Sequence, residues 1–530
     1  MTAEHDDGTV DEPEDAGKAD GDGQRSLGGL ARHSLIYSAA PFLRQGIAVA
    51  MTNFYTRASW LGKAGFGVKE IVDLWMIGLQ QMLGQNVLGA MVRFYFDHER
   101  EEDRARVVSS CTVTISAIAW LVCGIAFAFS ADLRGPMLGP GGKVPPAELE
   151  TILKLTLVLI PLQLSSLSGF YYLQIQKRSG LYSTLQTAKL LVEVALNFWF
   201  IGALGLGVRG FLMSMLAGEA LTTLLLTGGM LWRLGARVDP KILRPILIYA
   251  LPLVPVGICQ FGLHQIDRRL LLGFAEQEVT GVYGLGYKIG YLVNAMMLGS
   301  FLQIWQPWIF SISDAKERAR LVARVSTYAV LVLSAATLGV IVFGRQAVQI
   351  LGADPGFEVA WRVVPLVGAG YVAWALYQVS QIPLFLAKRT ARLFFVNLAA
   401  LGVNVGLNLW LIRSYGFVGA GIATCGSFAF LAALGMLASR SEAGVRFEYG
   451  RILAVVAVVA LISAGTYGVE LLVVDPGRAG LALTLALKAV LLAAGLVPLF
   501  GVLNRTEREG LREWLGRRLG RPGSGSDTGS

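Results

Sequence analysis

Apolar runs of about 20 residues recur along this chain, each set off by a short polar stretch rich in arginine and lysine. A bilayer core ~30 Å thick is crossed by about 20 residues of helix. On that measure the first half of the chain predicts spans near 34–56, 68–92, 107–130, 151–174, 181–205, 209–232 and 246–266. The second half predicts spans near 279–308, 321–343, 361–386, 393–413, 417–438, 452–473 and 479–503. The expected fold is an all-α polytopic membrane protein with fourteen transmembrane helices. The second run opens on Lys69, Glu70 and Asp73, and the eighth is long for one crossing.

Composition agrees with a membrane class. Apolar residues make up 54% of the 530 and charged residues only 16%, where soluble chains carry about 25%. The net charge of +9 would suggest nucleic acid in a soluble protein. Here basic residues concentrate in alternate loops. With the N-terminus in the cytoplasm, the cytoplasmic segments hold more than twice as many lysines and arginines as the opposite side. This follows the positive-inside rule and predicts an even number of helices, both termini cytoplasmic, and no nucleic-acid partner.

Residues 1–24 are acidic and glycine-rich with no apolar run, which describes a disordered tail and not a signal peptide. Residues 505–521 place Leu511, Trp514, Leu515 and Leu519 at helical spacing among arginines. That pattern fits either an amphipathic helix on anionic membrane lipids or a solvated basic tail. The four cysteines have no CxxC spacing, the histidines no HExxH, and the chain has no phosphate loop. No metal, cofactor or direct ATP coupling is expected.

A shift of 211 residues superimposes 173–210 on 384–421 without gaps, with 13 of 38 positions identical. Apolar composition produces some of these matches. It does not produce the aligned pair Lys177-Arg178 with Lys388-Arg389, Asn197 with Asn408, or Trp199 with Trp410. Six helices separate the two copies, so both have the same orientation. Two parallel six-helix repeats with a site between them are a transporter architecture. The expected division is a tail (1–30), an N-lobe (31–235), a C-lobe (236–440), two extra helices (441–504) and a basic tail (505–530).

The segment YALPLVPVGICQFGLHQIDRRLLLGFAEQEVTGVYGLGYKIG (249–290) resembles the second-half opening of the polysaccharide-biosynthesis flippases. Those belong to the multidrug/oligosaccharidyl-lipid/polysaccharide exporter superfamily. The matching positions include Leu251, Pro252, Pro255, Asp267, Arg268, Gly273, Gly281, Tyr283 and Tyr287 to Ile289. Near the N-terminus, Gly62, Gly65, Phe66 and Gly67 resemble the family more loosely. The resemblance implies flipping of an undecaprenyl-diphosphate-linked glycan across the cytoplasmic (inner) membrane for capsule, O-antigen or exopolysaccharide synthesis. It also implies no chemical conversion, coupling to H+ or Na+ or another driving force, and partners in glycan assembly.

Arg44, Lys189, Glu193, Glu219, Lys288 and Lys488 fall inside predicted spans. A charge at a helix centre costs about 2.5–3.5 kcal/mol on insertion scales, so each needs a polar cavity or a partner. A cationic cavity for a diphosphate headgroup would use Arg44, Lys288, Arg268, Arg269 and Lys189. Asp267, Glu219, Glu193 and Asp73 are candidates for gating or ion coupling. Lys189 and Glu193 stand four apart and fit equally an internal pair. Asp267, Arg268 and Arg269 are expected at the outer mouth of the seventh span, as a gate or a headgroup contact. Within the same architecture, a multidrug or cation antiporter would favour an acidic, aromatic cavity. A membrane enzyme of glycan assembly would need a long outer loop, and the longest here (131–150) has no obvious acid–base pair. A non-transporting scaffold would have no use for the embedded cations.

Overall fold

The computed structural model describes residues 45–509 apart from 140–143, 177, 300, 303–304, 306–308, 310–311, 313, 388, 444, 473–477 and 505–506. Arg44 and the amphipathic pattern at 511–519 lie outside the described residues. The described elements are all helices. In the first half they are α1 (45–56), α2 (Gly62–Gln80, a π turn at Gln81–Gln85, then Asn86–Phe96), α3 (Glu101–Ala128) and α4 (Pro146–Ile175). Then come α5 (Ser179–Asn197, ending in a π turn), α6 (Gly207–Leu234) and α7 (Pro240–Ala250 and Leu253–Phe274). The second half continues with α8 (Gln277–Val293, then a π turn at Asn294–Leu298), α9 (Ala315–Val342) and α10 (Pro355–Phe385). It closes with α11 (390–415), α12 (417–443), α13 (Tyr449–Leu472) and α14 (Arg478–Gly501).

These segments overlap the predicted runs, and two further short helices, Ser130–Leu138 and Gly344–Leu351, lie between α3 and α4 and between α9 and α10. By length and apolar content, eight of the described helices qualify to cross a membrane when the α11–α12 run is taken as one, or nine counting bent α7. α2, α5 and α8 do not qualify, and these are the helices that carry Lys69, Glu70, Asp73, Lys189, Glu193 and Lys288. Apolar side chains such as Trp120, Leu121, Leu224, Leu225, Leu461 and Val497 face outward. Such a surface is stable only in lipid, with the backbone groups satisfied inside each helix. The protein is a multi-pass membrane protein.

Two boundaries differ from the sequence expectation, and charge is the reason for both. α2 begins at Gly62, so Lys69, Glu70 and Asp73 lie well inside it and not at its mouth. α7 runs on to Phe274, so Asp267 and Arg268 sit two turns inside a helix, both buried. A hydropathy reading ends a span at a charge, whereas these charges stay in the bundle because partners await them there. α11 and α12 are separate helices that meet at Gly416, between the two predicted runs, and its φ of 56° is open to glycine at little cost.

The internal repeat is visible in the backbone. Gly205, the partner of Gly416, also has a positive φ of 63°. Asn197 donates from Nδ2 to the carbonyl of Glu193 at 2.8 Å, and its counterpart Asn408 donates to that of Asn404 at 2.9 Å. Trp199 and Trp410 both face outward. Two apolar cores accompany the repeat, one drawn mostly from residues before 250 and the other mostly from residues after 260.

The two halves meet where α2 and α8 begin. A Cβ on Gly67 would lie 1.8 Å from the Gln277 carbonyl oxygen, and one on Gly281 2.6 Å from that of Lys63. Only paired glycines permit this backbone contact. Nearby, Asn53 and Thr56 of α1 donate to the Ile350 and Leu351 carbonyls at 2.6 and 2.7 Å. α7 bends by 46° between Ala250 and Leu253, at Pro252.

Beyond the repeat, α13 and α14 are tied to the second half by buried charge. Lys488 (α14) pairs with Glu470 (α13) and donates to Gln346 at 2.7 Å. Arg345 reaches Glu470 at 3.1 Å and Glu358 at 2.6 Å. Lys488 is spent in this cluster and lines neither cavity described below.

Two outcomes are expected in thermal unfolding of detergent-purified protein. Gly281→Val should lower stability by about 1–3 kcal/mol through overpacking, while Gly273→Val, with open space around it, should change little. Lys488→Ala should cost about 3 kcal/mol, the low end for a broken buried pair because Arg345 still reaches Glu470 at 3.1 Å, and adding Glu470→Gln should recover part of the loss.

Candidate functional site

Just past the glycine contact α2 and α8 diverge, and two cavities open between the halves. The larger, ≈ 570 Å³, runs along α2, α7, α8 and α10; the smaller, ≈ 370 Å³, lies among α1, α2, α5 and α8. Asp73, Lys288 and Tyr291 line both.

Glu70 of α2 is the junction. Its carboxylate pairs with the Lys288 ammonium of α8, and Arg268 Nε of α7 approaches it at 3.4 Å. Glu70 is 3% exposed, whereas Lys288 keeps 34% of its side chain open, toward the cavities. Glu70 takes this position because Gly284 opposite leaves room: a Cβ there would lie 2.6 Å from Glu70 Cγ.

Arg268 is held on every side. It donates to Gln265 Oε1 at 2.6 Å and the His264 carbonyl at 3.2 Å, and lies over the Tyr287 ring at 4.2 Å. Asp267 accepts from the hydroxyls of Tyr283 and, at 3.2 Å, Thr424, which fixes α7 to α8 and α12. Its Oδ1 is 3.8 Å from Arg268. Tyr371 of α10 shares hydrogen bonds with Tyr287 (2.6 Å) and His264 Nδ1 (3.0 Å).

The other candidates divide as follows. Lys69 pairs with Asp73 at 2.5 Å. Lys189 meets Glu219 of α6 at 2.5 Å and Glu193 only at 3.7 Å, and Glu219 also accepts from the Ser166 hydroxyl at 2.5 Å. The within-helix pair read from spacing is therefore the weaker half of a link across α4, α5 and α6. Glu193 lines the smaller cavity. Arg269 is half-buried and lines neither cavity.

Among the described residues the lining charges balance. Lys69 and Lys288 face Asp73 and Glu193 in the smaller cavity, while Arg268 and Lys288 face Glu70 and Asp73 in the larger. Removing charges from water without partners is costly, so an empty site in an apolar bundle holds itself neutral. The residue that sequence reasoning missed is Glu70. Its signal was the glycine-rich turn at Gly62, which starts α2 early enough to carry Glu70 inside. His264 and Tyr371 gave no comparable signal.

The comparisons with known proteins agree with this architecture. The model of a family described as polysaccharide biosynthesis protein matches residues 99–354, a little under half the chain. No curated protein matches the sequence significantly. Among solved structures, the lipid II flippase MurJ in an inward closed conformation has a TM-score of 0.64 at 11% identity, covering 87% of this chain and 98% of MurJ. An inward-facing multidrug resistance MATE transporter of the MOP superfamily scores 0.62 at 13% identity, covering 78% and 98%. A MOP superfamily transporter from Pyrococcus furiosus, whose binding pocket is described as reversed in polarity, scores 0.57 at 15%, covering 78% and 95%. At these identities the structural likeness is one of fold. Over residues 99–354 the chain matches the polysaccharide biosynthesis protein family, and its fold is the one that the MurJ and MATE structures share.

Proposed function

We propose that the protein flips a glycan carried on a polyprenyl diphosphate across the cytoplasmic membrane, by alternating access of its two halves. The observation that carries this reading is the convergence of Lys288 and Arg268 on the single carboxylate Glu70, at the sealed end of an interhelical cavity. A diphosphate offers these cations the same oxygen ligands as Glu70, with more charge. Arginine's planar fork suits phosphate oxygens, and lysine serves as a compact point charge. Headgroup binding and release of α2 from α7 and α8 thus become one exchange of anions. No covalent bond is made or broken.

The charge distribution supports a cytoplasmic N-terminus, which makes the glycine contact of α2 and α8 the external seal and the cavity an inward-facing one. The match to polysaccharide biosynthesis proteins and the fold shared with a lipid II flippase support the substrate class. Arg269 lies beside the machinery and serves as an internal control.

Reconstituted in liposomes, the protein should move a fluorescent polyprenyl-diphosphate sugar between leaflets. Arg268→Ala and Lys288→Ala should each slow translocation roughly 10- to 100-fold, as expected for charge-assisted hydrogen bonds of about 1.5–3 kcal/mol. Arg269→Ala should stay close to the unaltered rate. Absence of translocation by the unaltered protein, or full rates in both cavity variants, would overturn the proposal.

A further inference from the structure

The walls of the larger cavity change character along its length. Its charged lining, Glu70, Asp73, Arg268 and Lys288, gathers at the sealed end. Gln81 lies eleven residues beyond Glu70 on α2, about 16 Å at 1.5 Å per residue. Gln260 is about 12 Å from Arg268 along α7, and Asn294 about 9 Å from Lys288 along α8. With Gln378 of α10, these four half-buried amides ring the far part of the cavity, and Trp374 and Tyr291 complete its wall. Among the described residues lining that part, none is charged.

We infer that this amide ring, with Tyr291 and Trp374, is a subsite for an uncharged sugar ring. A side-chain amide has both donors and an acceptor, and a sugar hydroxyl likewise gives and takes a hydrogen bond. A phosphate only accepts, which leaves amide oxygens unused, and an organic cation calls for carboxylates. Ring C–H faces pack on aromatic side chains, whose polar tips stay available for bonding.

The local structure shows how the amides are presented. Gln81 and Asn294 are the first residues of the π turns in α2 and α8, a feature that often marks functional sites. Asn294 lines the cavity, and its buried Oδ1 accepts no hydrogen bond from the described residues. Gly257 makes room for Gln81 across α7, since a Cβ there would lie 2.4 Å from Gln81 Nε2. Trp374 is held edge-on against His264, with ring centroids 4.2 Å apart, which fixes the floor.

The subsite rests on the flippase reading above and refines it, placing the diphosphate at Arg268 and Lys288 and the first sugar beside the amides. The test is equilibrium binding to the purified full chain, read by tryptophan fluorescence, with bare polyprenyl diphosphate, polyprenyl-diphosphate-N-acetylhexosamine and polyprenyl-diphosphate-hexuronic acid as probes. The hexosamine probe should bind about tenfold more tightly than bare diphosphate, the increment of one or two net hydrogen bonds. Gln378→Ala and Asn294→Ala should erase that increment and leave bare-diphosphate binding unchanged. Gln378→Glu, which preserves size, should do the same, whereas Lys288→Ala should weaken every probe. Equal binding of hexosamine and bare diphosphate overturns the subsite but leaves the headgroup site standing, as does a hexuronic-acid probe bound as tightly as the hexosamine. If no probe binds at all, the flippase reading falls and takes the subsite with it.

Discussion

A carboxylate with two cations in an apolar bundle is the constraint around which this protein is arranged. Glu70 has almost no access to solvent, and its charge is sustained by the ion pairs with Lys288 and Arg268. Those two side chains come from helices of the other half of the sequence, and each needs Glu70 as much as it needs them. The glycines on α8, the buried Asp267 and the tyrosine bridge to α10 all place these three groups within reach of each other. Neutralisation within the membrane is thereby tied to contact between the halves.

Beside the Lys69–Asp73 pair within α2, the embedded charges fall into three sets with different work. The Glu70 set joins the halves and faces the cavity. The Lys189 set joins α4, α5 and α6 inside the first half. The Lys488 set fastens the last two helices to α10 and to the segment before it that carries Arg345 and Gln346. Residue type alone does not separate these roles, because a lysine paired with a glutamate occurs in all three. Access to a cavity does: Lys288 has it, and Lys488 is fully enclosed.

Much of the fold was legible in the chain because helices in lipid satisfy their own backbone and show themselves as apolar runs. The repeat was legible too, since Asn197 and Asn408, or Gly205 and Gly416, do the same local task twice. Reading failed where a helix keeps charge inside, at the start of α2 and the end of α7. The partnership of Glu70 with Arg268 has no periodic signature, because it joins positions far apart in the chain. For Lys189 the local spacing pointed to Glu193, while the shorter contact comes from Glu219 on the next helix.

The glycine contact between α2 and α8 also bears on how the protein moves. A seal made of interlocking side chains must sort rotamers each time it re-forms and leaves crevices for water when it does not. Gly67 and Gly281 have no rotamers, and the Lys63 and Gln277 carbonyls they approach belong to the first turns of α2 and α8. Parting them in lipid gives up dispersion contacts alone, and meeting again restores the same surface. The joint can work as a reversible clasp, opened and shut many times without a folding problem at each stroke.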